Sequence, residues 1–252
     1  MQHHLFRGIL IAMAAQFSPL FAEQNPAEIA VQQRGTEQRH LLKCEAIAKE
    51  KFDLIMVGDS ITHNFEKPAY QSVWQQYFAP RKAINLGYSG ARTENIIWNL
   101  QNGELAGQSP KVITLMIGTN NADAKNYPTH HSGEQIAGGI KAIIAVMREK
   151  CPDAKILLLR CFPGAYGGPG PTEHRAVLDA ASAIAMKLAD DQHVFFCDVN
   201  GIYLEADGKI KKELMPDWLH PNPEGARLWA QAMEPLLSKL MGDASRDPEV
   251  KK

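Results

Sequence analysis

What this sequence lacks narrows it first. No run of lysine or arginine occurs, and 27 basic against 28 acidic residues leave a net charge of −1, which argues against a nucleic-acid groove and a polybasic membrane patch. No apolar stretch approaches the ~20 residues that span a bilayer. No internal repeat appears, and the one compositionally biased tract is Phe162 to Pro171, rich in glycine and proline. Only four cysteines are present, Cys44, Cys151, Cys161 and Cys197, spaced like neither a zinc site nor a disulfide framework. Cys151 and Cys161 flank a strand-like run whose rise of ~3.3 Å per residue holds them beyond the ~7 Å reach of a bridge. Cys161 and Cys197 end two successive strands, so their pairing stays open, although buried free thiols are the expectation.

What is present fits one α/β core: 252 residues, 45% hydrophobic and 22% charged. The chain divides into a leader over residues 1–22, a helical segment over 23–50, a single domain over 51–241 and a loose charged tail over 242–252. In the leader, His3, His4 and Arg7 precede the apolar Gly8 to Ala15, and Ser18 to Ala22 offers a cleavage point before Glu23. This is the layout of a secretory signal peptide; a membrane anchor is the alternative, for which the apolar part is too short. The expectation is export to a periplasmic or extracellular location, with no stable membrane insertion after cleavage.

Within 26–50, Leu41, Leu42, Cys44, Ile47 and Ala48 offer an apolar helix face. Strands are predicted over Leu54–Val57, Ala83–Leu86, Lys111–Ile117, Ala154–Cys161 and Val194–Val199, and helices near Gln71–Tyr77, Thr93–Leu100, Gly133–Lys150, Thr172–Asp190 and Pro223–Leu240. Ser132 with Gln135 makes a capping box, and Asn222 before Pro223 pairs an N-cap with a first-turn proline. Strands alternating with helices imply a three-layer α/β/α sandwich on a five-stranded parallel sheet, flavodoxin-like in outline.

Four blocks with chemistry in them all close apolar strands or open a helix. Gly58-Asp59-Ser60 ends the first strand, where Ser60 is either a helix cap or a nucleophile beside free N–H groups. Gly87 in Asn85-Leu86-Gly87-Tyr88-Ser89-Gly90 could bring a backbone N–H close to a substrate oxygen, or simply turn the chain. In Gly118-Thr119-Asn120-Asn121, an Asn amide could donate to an oxyanion or stabilise its own loop. In Asp217-Trp218-Leu219-His220-Pro221-Asn222, a carboxylate three residues before an imidazole can orient the ring, and Pro221 keeps His220 out of a helix. Gly87-Tyr88-Ser89-Gly90-Ala91 also nearly matches a Gly-x-Ser-x-Gly elbow, failing at Ala91, which makes Ser89 a rival nucleophile that leaves Gly58 to Ser60 unexplained. Asp59 is expected to brace the nucleophile loop, Arg92 to form a surface salt bridge, and Trp98 to lie in the core.

In these blocks and their order the chain resembles the GDSL or SGNH family of serine hydrolases, from about Arg39 to Leu240. Thr93-Glu94-Asn95-Ile96-Ile97-Trp98-Asn99-Leu100-Gln101-Asn102-Gly103-Glu104-Leu105 is similar to the branch of platelet-activating-factor acetylhydrolase catalytic subunits and their bacterial relatives. The resemblance implies that Ser60 is the nucleophile, His220 the base and Asp217 its orienting acid, with Gly87 and Asn120 joining the Ser60 N–H in an oxyanion hole. Asn121 stands where many members carry aspartate, in agreement with this branch. Asp59, Asn121, His130, His131 and Tyr166 complete the candidate substrate contacts. The expected activity is hydrolysis of small acyl esters, chiefly acetyl on carbohydrate or another polar alcohol, without cofactor or metal. A phospholipid acetyl ester is the alternative; an acyltransferase and an inactive binding protein are further ones. The expected partner is a small-molecule or polysaccharide ester, and nucleic acid is not expected.

Overall fold

A computed structural model describes residues 24–164, 166 and 168–248; the expected leader lies outside the described residues. β1 (Leu54–Gly58), β2 (Ala83–Gly87), β3 (Val112–Met116), β4 (Lys155–Leu159) and β5 (Val194–Cys197) are short apolar runs. They pair in parallel in the order β2-β1-β3-β4-β5. Every residue of β1 and β3 is buried, as strands covered on both faces must be. The expected five-stranded parallel sandwich is the observed one, with β3, β4 and β5 ending earlier than predicted.

The helices are α1 (Glu37–Lys49), α2 (Ser60–His63), α3 (Gln71–Val73, continued by a π turn over Trp74–Phe78), α4 (Thr93–Asn99), α5 (Gly133–Lys150), α6 (Glu173–Ala185) and α7 (Pro223–Met241). Alternation along each strand divides the core in two. Ile55, Val57, Ile113 and Leu115 face Ile47, Ile96, Ile140 and Leu178, while Leu54, Met56, Val112 and Met116 face Phe65, Phe78, Trp229 and Met233. The capping box at Ser132 and the cap at Asn222 are both formed, Asn222 Oδ1 accepting from Gly225 N at 2.9 Å. From β1 the chain passes to β2 at one edge and returns beyond β1 to β3. Successive crossovers therefore diverge at the carboxyl ends of β1 and β3, which opens a crevice there.

Both ends of the chain depart from the sequence reading. Of residues 24–50 only α1 and a single turn over Pro26–Glu28 are helical. The segment between them lies extended on α4 and α5: Thr93 Oγ1 donates to Ala27 O at 2.8 Å, Val31 N to Glu94 O at 3.1 Å, and Asn25 Nδ2 to Gln135 O at 3.0 Å. Of the apolar face expected on α1, Ile47 is buried in the core and Cys44 half-buried, while Leu41 and Leu42 are turned out, 57% and 54% exposed. Polar anchors decide this orientation. Arg39 and Lys43 grip Glu66, and His40 Nδ1 pairs with the buried Glu104 at 2.9 Å. The tail is not loose over 243–246, because the buried Arg81 holds Glu234 at 2.7 and 2.8 Å and Asp243 at 2.9 Å, while Arg246 N donates to Glu234 at 2.6 Å. All four cysteines are free thiols, and Cys161 Sγ donates to Ile117 O at 3.1 Å.

Candidate active site

Ser60 is placed by backbone lying directly on backbone. It opens α2, whose cap is Asp59: Oδ1 accepts from Ile61 N at 2.9 Å. α2 rests on the end of β2 so closely that a Cβ at Gly87 would stand 2.4 Å from His63 N and 2.8 Å from Thr62 C. A Cβ at Gly58 would stand 2.7 Å from Met116 O, so neither position admits a side chain.

The last block reaches the same point from the far side of the sheet. Tyr70 OH donates to Pro221 O at 2.9 Å and Asn222 Nδ2 to Glu213 O at 2.7 Å, which ties down the loop before α7. Within it Trp218 adopts φ +64°, a left-handed conformation that costs a non-glycine residue ~1–3 kcal/mol and tightens the turn. As a result Asp217 Oδ1 accepts from Leu219 N at 3.0 Å and His220 N at 2.7 Å, and Oδ2 accepts from His220 Nδ1 at 2.7 Å. Partial burial opposes ionisation of Asp217, but these N–H groups outweigh it and hold its carboxyl below the ordinary range. A carboxylate can only accept, so the imidazole proton sits on Nδ1 and Nε2 is the acceptor facing Ser60 Oγ, 2.9 Å away. A serine hydroxyl, a basic nitrogen and an orienting carboxylate thus stand in series, the geometry of nucleophilic acyl transfer.

Two donors flank the serine, and one of them is not the expected one. Asn120, from the end of β3, lines the cavity around Ser60. One amide proton goes to Ala91 O at 2.8 Å, which fixes the amide and leaves the other proton for an oxyanion. Gly87 cannot serve: its N–H donates to Asn85 Oδ1 at 2.8 Å, and the residue underlies α2 instead of facing the cavity. Gly90 does face the cavity, at φ +78°. Its N–H makes no hydrogen bond among the described residues, so it is the donor this loop can offer. The sequence signal for this donor is the second glycine of the same turn; the first, at the strand end, is taken up by packing against α2.

The other candidates separate by burial. Asp59 is fully buried and touches no substrate space; burial pushes its carboxyl up to about 6, against the opposing pull of Ile61 N–H and His220. Asn121 is equally buried, with Thr93 Oγ1, Glu94 and His131 Nδ1 around its amide at 2.9 to 3.0 Å, so it binds loop to helix and not a substrate. His131 is buried against Arg92 at 2.9 Å, and His130 borders neighbouring clefts, so neither lines the Ser60 cavity. Arg92 pairs with Glu94 at 3.0 Å, inside the protein and not on the surface. Tyr166 does line the cavity, its ring 4.8 Å from that of His174. Ser89 lines it as well, but bonds His63 and not His220. Asn64, Lys67, Tyr70 and Pro216, which the sequence did not single out, complete the wall together with Asn222, read there only as a helix cap. Among the described residues no cluster of three or more His, Cys, Asp or Glu side chains is placed to hold a metal ion, and no helix is long and apolar enough to cross a membrane.

The chain resembles known proteins along most of its length. The profile of the GDSL-like lipase/acylhydrolase family matches residues 56–228. Platelet-activating factor acetylhydrolase IB subunit alpha1 from Homo sapiens is 29% identical over 227 residues, 87% of this chain and 92% of that protein. Subunit alpha2 from Rattus norvegicus is 31% identical over 214 residues, 84% and 85% of the two chains. Among solved structures, an acetylxylan esterase from Geobacillus stearothermophilus superposes with a TM-score of 0.58 over 78% of this chain and 95% of that one; at 18% identity this likeness is one of fold. The matched span runs from the strand before Ser60 past His220, and the chain belongs to the GDSL-like lipase/acylhydrolase family as a carboxylic ester hydrolase.

Proposed function

We propose that this chain removes small acyl groups, chiefly acetyl, from carbohydrate or similarly polar alcohols through an acyl-enzyme on Ser60. Ser60 Oγ attacks the ester carbonyl as His220 Nε2 takes its proton; the N–H groups of Ser60 and Gly90 and the Asn120 amide receive the oxyanion; His220 then protonates the departing alcohol. Water, deprotonated by the same nitrogen, attacks the acyl carbon and regenerates Ser60. The observation that carries the substrate class is the wall of the open cavity of about 630 Å³, which among the described residues contains no leucine, isoleucine, valine, methionine or phenylalanine. A long acyl chain gains ~0.8 kcal/mol per buried methylene, and a wall of this kind gives it little to gain from. The leader pattern over residues 1–22 supports a site of action outside the cytosol, where polysaccharide esters are met.

A second reading has its own support. Lys67 lines the cavity, no ion pair engages it among the described residues, and the curated relatives carry the name of a phospholipid acetyl-ester hydrolase. The deciding measurement is kcat/KM for acetyl, butyryl and octanoyl esters of one alcohol, followed by acetate release from acetylated xylan and from an acetylated ether phospholipid. We expect acetyl to lead and xylan to release acetate. Preference for octanoyl would sink the small-acyl reading, and release from the phospholipid alone would replace the carbohydrate one.

A further inference from the structure

A second serine faces the cavity of Ser60 with its hydroxyl already committed. Ser89 lines that cavity from the turn after β2, and its Oγ is 3.0 Å from Nδ1 of His63, whose Nε2 stands 3.6 Å from Oε2 of Glu66. Glu66 is clamped in turn by Arg39 at 2.7 and 3.0 Å and by Lys43 Nζ at 2.6 Å. The backbone is fixed as well: Gln33 Nε2 donates to Ser89 O at 2.8 Å, and Arg39 Nε to Gly87 O at 2.9 Å. An exposed serine normally rotates freely and bonds water. This one is held by a built support that the Ser60–His220–Asp217 series does not use.

The direction of the bond fixes what Ser89 can offer. Glu66 Oε2, 3.6 Å from Nε2, is beyond hydrogen-bond distance, but its charge favours the ring proton on that nitrogen, which leaves Nδ1 of the neutral ring to accept from the Ser89 hydroxyl. Burial, reinforced by the charges of Arg39, Lys43 and Lys67, presses His63 down to about 4, which keeps the ring neutral and makes it a poor general base for a second nucleophile. With its proton spent, Ser89 Oγ turns only lone pairs to the cavity and can receive a hydrogen bond there. An acetyl group has no donor, so the donor must belong to the alcohol.

We propose that Ser89, oriented by His63 and Glu66, is the binding site for a free hydroxyl on the alcohol half of the substrate, so that partly acylated polyols, sugars among them, are selected over esters with no free hydroxyl. The proposal rests on hydrolysis of small acyl esters at Ser60 and names the group recognised beside it.

The test compares 2-hydroxyethyl acetate with 2-methoxyethyl acetate, which share the acyl group and differ in one donor. Wild type should favour the hydroxy ester in kcat/KM by ~5–10-fold, the yield of one neutral hydrogen bond. Ser89→Ala should bring the ratio to about 1 and Ser89→Thr should keep it. Because the ratio is internal to each variant, a general loss of activity cancels out. A wild-type ratio near 1, or an undiminished ratio in Ser89→Ala, overturns the proposal. If phenyl octanoate is cleaved and neither acetate is, the small-acyl reading has failed on its own; the hydroxy and methoxy pair is then measured as octanoyl esters, with the same two outcomes.

Discussion

Asp59→Asn should make the protein more stable and less active, and the size of the gain follows from where the carboxyl sits. Asp59 is fully buried, Oδ1 is occupied by Ile61 N–H, and Oδ2 has only the neighbouring Thr119 hydroxyl, without a well-formed hydrogen bond between them. Burial raises the carboxyl from 3.8 unfolded to about 6 folded, roughly two pH units, or ~3 kcal/mol at 1.36 kcal/mol per unit. With the folded value above the unfolded one, stability from proton binding is fully present below pH ~4, declines as pH rises, and is gone above pH ~6. An asparagine keeps the cap through its oxygen, can donate to Thr119 through its nitrogen, and carries no charge to desolvate. Urea unfolding of both proteins from pH 4 to pH 8 should therefore give nearly equal stabilities at the acid end and a gap opening toward ~3 kcal/mol above pH 6. In the same variant kcat should fall, because the Asp59 charge acts on His220 and favours the imidazolium that forms as Ser60 attacks. A gap that is constant across the pH range would refute the reasoning, since it would mean that Asp59 does not titrate on folding.

Ser60→Ala should abolish ester hydrolysis and labelling by a serine-directed phosphonate while urea unfolding stays near wild type; residual labelling would point to another nucleophile. Asn120→Ala should lower kcat by ~10²–10³ with a smaller change in KM, and an unchanged kcat would leave Asn120 only its bond to Ala91. Asp217→Asn should cut kcat by ~10³–10⁴, because an amide can donate to Nδ1 and so favour the tautomer that leaves Nε2 protonated against Ser60. Arg81→Ala should cost ~3–5 kcal/mol in urea unfolding by leaving the buried Glu234 uncompensated, and a loss below ~1 kcal/mol would mean that the ion pair is replaced by water.

The chemistry was legible in the sequence because it is local. An apolar run stopping at Gly58-Asp59-Ser60 specifies a strand, a turn and a serine at the sheet edge, and Asp217 and His220 share one short loop. Misplaced residues were those whose environment comes from elsewhere in the chain. Asn121 reads as a donor beside Asn120, yet its partners on α4 are 27 and 28 residues away and enclose it completely. Leu41 and Leu42 read as part of the buried face with Ile47, but three polar anchors on α1 set an orientation that buries Ile47 and leaves the two leucines outside. The tail reads as loose since nothing within it suggests order; its partner Arg81 lies 162 residues before Asp243. Gly87 and Gly90 share one turn, and only the three-dimensional accounting of their N–H groups tells the packing glycine from the donor.

The extended segment from Asn25 to Gln33 sets a limit on how the chain can be trimmed. Ala27 is fully buried against α4 and α5, and Gln33 props the turn that carries Ser89 and Gly90. A cut a few residues after Asn25 would strip its cap, free the Thr93 hydroxyl and remove backbone support from an active-site loop more than 50 residues further along the chain. The support of this active-site loop thus reaches back to Asn25, well before the first strand.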